Sequence, residues 1–136
     1  MEYNNIIIDS SVWIASLNED DSNHKKALLF DPLYVKEQTI PDIVFYEVLT
    51  VLKNKKLNTP MNMFIEYTTK ESCVGIRLFY EYNREVLKLF SSPIAEGLSY
   101  VDTLLLYLSR DYYILTFDER LQKRIKEFGG LLVGVR

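Results

Sequence analysis

The chain has 136 residues and a mass of 16.0 kDa, which is the size of one ordinary domain that can bury its own core. Its 48% hydrophobic and 26% charged residues exclude a disordered chain, and a single cysteine excludes an internal disulfide or a cysteine-built zinc site. The net charge of −3 excludes nucleic-acid binding through bulk positive charge, and the single histidine argues against a histidine-based catalytic triad.

The amino-terminal residues lack the basic start and the apolar run of a signal peptide. No apolar segment approaches the roughly 20 residues that span a bilayer. We therefore expect a cytoplasmic protein that makes no membrane contact. Because no linker, repeat or low-complexity tract interrupts the sequence, residues 1–136 are predicted to form a single domain.

Strand-like and helix-like segments alternate along the chain. Short apolar runs predict strands at Ile6 to Ile8, Leu33 to Val35, Cys73 to Leu78, Tyr113 to Thr116 and Leu131 to Val135. Helices are predicted at Val12 to Leu17, Asp20 to Phe30, Asp42 to Lys53, Thr59 to Glu71, Tyr82 to Phe90, Leu98 to Ser109 and Glu119 to Phe128. This order is typical of a three-layer α/β/α domain whose central, mostly parallel sheet has five strands.

Two aspartates lie just beyond the ends of predicted strands. Asp9 comes after the first strand, and Asp118 comes after the fourth. Ligands of such sheets bind at the carboxyl ends of the strands, so both side chains are candidates for a site. Aspartate is also a favoured helix N-cap, so position alone leaves both roles open.

Two further carboxylates occupy apolar helices. Glu47 shares a helical row with Ile43 and Val51, and this spacing predicts that it projects from the apolar stripe. Asp102 lies in the largely apolar segment from Leu98 to Leu108. A buried, unpaired carboxylate is costly. Pairing with a cation or a place at the edge of the stripe remains open for Glu47, and a solvent-facing first turn remains open for Asp102.

These four carboxylates can converge on one crevice. They cannot all remain ionised together without a cation. Oxygen ligands select a hard ion such as Mg²⁺ or Mn²⁺, which lowers the pKa of bound water and binds phosphate oxygens. The set therefore predicts hydrolysis of a phosphodiester bond.

Four segments in register resemble PIN-domain ribonucleases, and in particular the VapC-like toxins of type II toxin–antitoxin systems. The matching segments are Ile8 to Ser11, Ile40 to Val48, Leu98 to Leu105 and Leu115 to Asp118. The resemblance implies a PIN-like, Rossmann-like fold over residues 1–136 and Mg²⁺- or Mn²⁺-dependent cleavage of RNA. The residues that it assigns to metal binding and catalysis are Asp9, Glu47, Asp102 and Asp118.

The same resemblance has implications for supporting residues and partners. Ser10 would support the first aspartate, and Thr116 would support the last by hydrogen bonding. A homodimer and inhibition by a cognate antitoxin are also implied.

RNA needs local positive charge, which the sequence offers in two helical clusters. The candidates are Lys53, Lys55 and Lys56 at one helix end, and Lys123 and Arg124 on the last helix. Helix-end cations and a solvated face are the alternative interpretation of these residues. Two other functions also stay open, namely a PIN nuclease of RNA processing or maturation and a catalytically silent PIN-like binding module.

Overall fold

The structure, a computed structural model, describes residues 5–32, 35, 38–70 and 74–134. Four parallel strands form its central sheet in the order β3-β2-β1-β4. They are β1 (Ile6–Ile8), β2 (Gln38–Pro41), β3 (Val74–Arg77) and β4 (Tyr113–Leu115). The chain builds outward from β1 to β3 and then returns to the other side of β1, which makes β1 the switch point where such sheets bind ligands.

Helices connect the strands within the described ranges. They are α1 (Ser10–Leu17), α2 (His24–Phe30), α3 (Asp42–Asn54), α4 (Asn58–Lys70), α5 (Asn83–Phe90), α6 (Tyr100–Leu108) and α7 (Glu119–Phe128). Two groups pack among themselves, α1 to α4 in one and α5 to α7 in the other. The α/β class and the parallel sheet flanked by helices are as predicted.

The core begins at the central strand. Ile7 and Ile8 are fully buried, because β1 has a neighbouring strand on each side and helices cover the sheet. Trp13 of α1 packs edge-on against Phe64 of α4, with ring centroids 5.0 Å apart. No helix in these parts of the chain is long and apolar enough to cross a membrane.

The second strand is displaced from its predicted position. The prediction placed it at residues 33–35, of which Leu33 and Tyr34 lie outside the described residues, whereas β2 begins at Gln38. The polar start of β2 concealed it, because Gln38 is buried and donates from its Nε2 to the Pro32 carbonyl at 2.8 Å. Pro41 ends this strand and is the N-cap of α3.

The prediction of five strands is wrong for the described residues. Leu132 makes only an isolated parallel bridge to Ile114. Two hydrogen bonds hold it there, from the Ile114 N–H to Leu131 and from the Val133 N–H to Ile114. The sheet therefore has four strands and one bridging residue beside β4. Cys73 and Val135, the predicted ends of two strands, lie outside the described residues.

Candidate active site

Asp9 stands where β1 gives way to α1, and its side chain is 4% exposed. Its Oδ1 accepts the Ser10 N–H at 2.8 Å, and its Oδ2 accepts the hydroxyls of Ser11 and Thr116, each at 2.8 Å. Burial raises the pKa of this carboxyl, the three hydrogen bonds oppose that rise, and the charge of Asp118 adds to it. Asp9 is thus both the N-cap of α1 and a buried acid at the switch point of the sheet.

Thr116 joins the ends of β1 and β4. Its buried hydroxyl donates to Asp9 and accepts the backbone N–H of Asp118 at 3.0 Å. It therefore supports Asp118 through the backbone and Asp9 through the side chain. Because β1 and β4 are paired in register through Ile8 and Leu115, the two aspartates follow adjacent strands at the same edge of the sheet.

Asp118 caps the last helix. Its Oδ1 accepts the backbone N–H groups of Arg120 at 2.9 Å and Leu121 at 3.2 Å. Among the residues the structure describes, its Oδ2 accepts no hydrogen bond. One carboxylate oxygen thus orients the side chain, and the other remains available for a ligand.

Two serines after Asp9 have separate roles. The Ser10 hydroxyl lies 3.5 Å from Asp9 Oδ1, at the limit of a hydrogen bond, and the Ser10 side chain also lowers the pKa of Glu47. Ser11 donates its hydroxyl to Asp9 and accepts the Phe117 N–H at 3.2 Å. Sequence reasoning missed Ser11, although a hydroxyl two residues beyond an N-cap aspartate was a usable signal.

Glu47 is more exposed than its sequence pattern predicts. The buried row of α3 is Val44, Val48 and Leu52, whereas Glu47 is exposed beside it. The prediction that Glu47 projects from the buried stripe is therefore wrong. Partial burial raises the pKa of its carboxyl, an interaction with the Ser10 side chain lowers it, and the charge of Asp9 raises it.

Asp102 is half-buried in the first turn of α6, where the Ser99 hydroxyl accepts its N–H at 3.1 Å. Its pKa is raised to about 6, chiefly by burial and then by the charges of Asp9, Asp118 and Glu47. The charges that raise the pKa of Asp102 are therefore those of the other three predicted acids. The other three acids thus lie within electrostatic range of Asp102.

None of these acids has a basic partner in the described ranges. The three ion pairs there join Lys70 to Glu66, Arg77 to Glu81 and Arg124 to Glu127. In the same ranges, no three Asp, Glu, His or Cys side chains converge closely enough to hold a metal ion as they stand. These uncompensated carboxylates, of which Asp9, Glu47 and Asp102 have raised pKa values, nevertheless fit a divalent cation by their chemistry, since all the donors are oxygen.

Comparison with known families decides the kind of domain. The model of the PIN domain matches residues 6–127. The chain belongs to the PIN domain family. PIN domains are generally nucleases, which act on phosphodiester bonds.

Solved structures with this fold include two from microbes. VapC20 of Mycobacterium tuberculosis, a toxin that cleaves the sarcin-ricin loop, matches with a TM-score of 0.74 and 15% identity over 88% of this chain and 94% of that one. PAE2754 of Pyrobaculum aerophilum matches with a TM-score of 0.55 and 15% identity over 96% of this chain and 90% of that one. At such identities the likeness is one of fold. No curated protein matches the sequence.

The cations predicted to bind RNA lie outside the contacts of this PIN-domain site. Lys53, Lys55 and Lys56 are exposed at the carboxyl end of α3, one helix length from the edge of the sheet where α3 begins. On α7, Lys123 is exposed, whereas Arg124 is half-buried and bonds to Glu127 and to the Glu96 carbonyl. No described hydrogen bond or ion pair connects these five cations to the four acids.

Proposed function

We propose that this PIN domain is a metal-dependent endoribonuclease that hydrolyses phosphodiester bonds in RNA. The observation that carries the proposal is the coupling of four carboxylates without a basic partner in the described residues, seen most clearly in the raised pKa of Asp102. Such a group lacks the positive charge that would offset the repulsion among its carboxylates. A divalent cation would supply that charge and could bind a phosphodiester at the same time.

Asp9, Glu47, Asp102 and Asp118 would hold Mg²⁺ or Mn²⁺. Bound there, the ion supplies a water of lowered pKa and neutralises charge on the phosphate. Asp9 is oriented by Ser10, Ser11 and Thr116, so its carboxylate needs little reorganisation on binding. Asp102, with its pKa near 6, can carry a proton at mildly acidic pH, and that would weaken metal binding there.

We further propose that the protein is the toxin of a toxin–antitoxin pair, a homodimer inhibited by a cognate antitoxin. Two observations support this role. The family model covers nearly the whole chain, and the fold is similar to that of a toxin that cleaves the sarcin-ricin loop. Induced expression with and without the neighbouring gene tests it, because a toxin arrests growth alone and a cognate antitoxin relieves the arrest.

The activity is tested by incubating purified protein with total tRNA and rRNA in Mg²⁺, Mn²⁺ or EDTA. Discrete fragments should form only with a divalent metal, and Asp9→Asn should reduce their rate at least about a hundredfold. The matched control is Asp111→Asn, because Asp111 is exposed and its side chain makes no described contact. This control should cut RNA like the wild type.

The outcomes separate the proposal from its alternatives. Cleavage by Asp9→Asn at the wild-type rate would refute the assignment of the site. Metal-dependent cleavage without growth arrest would favour a nuclease of RNA processing or maturation. Neither cleavage nor metal binding by the wild-type protein would favour a catalytically silent binding module.

A further inference from the structure

Two positively charged side chains lie close in the fold to residues next to Asp118, and no described ion pair joins either of them to a carboxylate. The Lys26 ammonium of α2 lies over the Phe117 ring, 5.0 Å from its centroid. Arg120 of α7 donates from Nη1 to the Gly97 carbonyl at 3.0 Å. The ion pairs found in the described residues lie elsewhere, so neither charge is neutralised by a carboxylate. Neither residue was among the cations that the sequence pattern selected.

Lys26 is held beside the strand-end aspartates by its aromatic contact. Phe117 stands between Thr116 and Asp118, and its N–H donates to Ser11, which bonds to Asp9. Phe30 of α2 also packs against the Phe117 ring, with centroids 6.3 Å apart. A cation over a ring is attracted to its face, which restrains the long lysine side chain. This contact thus places one positive charge of α2 at Phe117, the residue before Asp118.

Arg120 is held on the α6 side by a close approach to a glycine. Gly97 has a φ of +81°, and a Cβ at this position would lie 3.2 Å from Arg120 Nη1. Glycine allows both the backbone conformation and the contact. A guanidinium carries five N–H donors, and the bond to Gly97 uses one of them. The others can serve an anion beside α6, the helix that carries Asp102.

We propose that Lys26 and Arg120 each bind a backbone phosphate of an RNA strand that crosses the acidic site from α2 to α6. The inference rests on the proposed nuclease function and names the residues that position its substrate. Four carboxylates repel a phosphate backbone, so a strand needs positive charge on either side of them. The cations of α3 and the Arg124 ion pair do not offer it at these positions.

The test measures RNA binding rather than cleavage. In an Asp9→Asn background with Mg²⁺ present, the dissociation constant of a fluorescent single-stranded RNA oligonucleotide is measured at a series of salt concentrations. Lys26→Gln and Arg120→Gln should each weaken binding about two- to fivefold. Each should also lower the slope of log affinity against log salt by about one. Lys26→Arg, which keeps the charge, should restore most of the affinity.

Two matched controls remove the same charge elsewhere. Lys25→Gln changes the exposed neighbour of Lys26 on α2, and Arg84→Gln changes an exposed arginine on α5. Both should leave affinity and salt slope unchanged, and thermal unfolding should show that all variants fold. If Lys26→Gln and Arg120→Gln bind like these controls, or if the Asp9→Asn protein itself binds no RNA, the inference is wrong. Failure of the proposed function would appear separately, as absence of RNA cleavage by the wild-type protein.

Discussion

The two acids at the strand ends and the two acids on helices reach the same site by different means. Asp9 and Asp118 are helix caps, and together their carboxylates accept five close hydrogen bonds from neighbouring backbone and hydroxyl groups. The carboxyls of Glu47 and Asp102 have less such support, because one serine each, Ser10 and Ser99, offsets the rise of their pKa. The strand-end pair is therefore stabilised by hydrogen bonds that belong to the fold. The helix pair lacks most of these bonds, so its negative charges destabilise the metal-free protein.

Breaking the hydroxyl link between the strand ends should have the largest effect on stability. Thr116→Val removes a donor from buried Asp9 and an acceptor from the Asp118 N–H, so the free energy of unfolding should fall by about 2 kcal/mol. Urea unfolding measures the loss. The matched control is Thr68→Val, because buried Thr68 donates only to backbone carbonyls of its own helix. Equal losses in the two variants would contradict the idea that the strand-end pair is stabilised by hydrogen bonds that belong to the fold.

Neutralising Asp102 should stabilise the metal-free protein in a pH-dependent way. Its pKa rises from 3.8 to about 6 on folding, so the native state holds the proton more tightly and stability falls as pH rises through this window. After allowance for screening, Asp102→Asn should be about 1–2 kcal/mol more stable than the wild type at neutral pH. Well below pH 3.8, where the carboxyl is protonated in both the folded and the unfolded state, the two should be alike.

Urea unfolding in EDTA across this pH range measures the difference. Asp111→Asn again serves as the control, because it removes an exposed aspartate just beyond α6. Parallel pH profiles for wild type and Asp102→Asn would show that Asp102 carries no electrostatic strain.

Glu47→Gln should have the smallest effect on stability, within about 0.5 kcal/mol, because the residue is exposed. It should nevertheless reduce RNA cleavage by a factor similar to that of Asp9→Asn if all four acids hold the metal. Glu19→Gln, another exposed glutamate, should leave both quantities unchanged. Wild-type cleavage by Glu47→Gln would remove Glu47 from the site and leave the strand-end pair with Asp102.

The sequence predicts the strand-end acids better than the helix acids, for a physical reason. An apolar run such as Ile6–Ile8 followed by aspartate specifies both a buried strand and the position of its end. Helical periodicity shows that Glu47 shares a row with Ile43 and Val51, but not which row a neighbouring element covers. In the structure the covered row is that of Val44 and Val48.

The sequence pattern likewise does not predict contacts between residues that are far apart in the chain. Nothing local in the sequence shows that the Thr116 hydroxyl meets Asp9 or that Lys26 meets Phe117, since these contacts depend on strand order. The polar residues of β2 also concealed a strand, because the bond from Gln38 to Pro32 that lets it be buried forms only in the folded chain.

The hydrogen bond between Thr116 and Asp9 joins positions 107 residues apart. During synthesis, β1 leaves the ribosome early, but its partner β4 and the Thr116 hydroxyl follow only after most of the domain has been made. Non-local pairings of this kind form late, because a long loop must close first. A nascent chain that has not yet reached Thr116 therefore carries Asp9 without the hydroxyl that orients its carboxylate, so translation itself delays the assembly of the site.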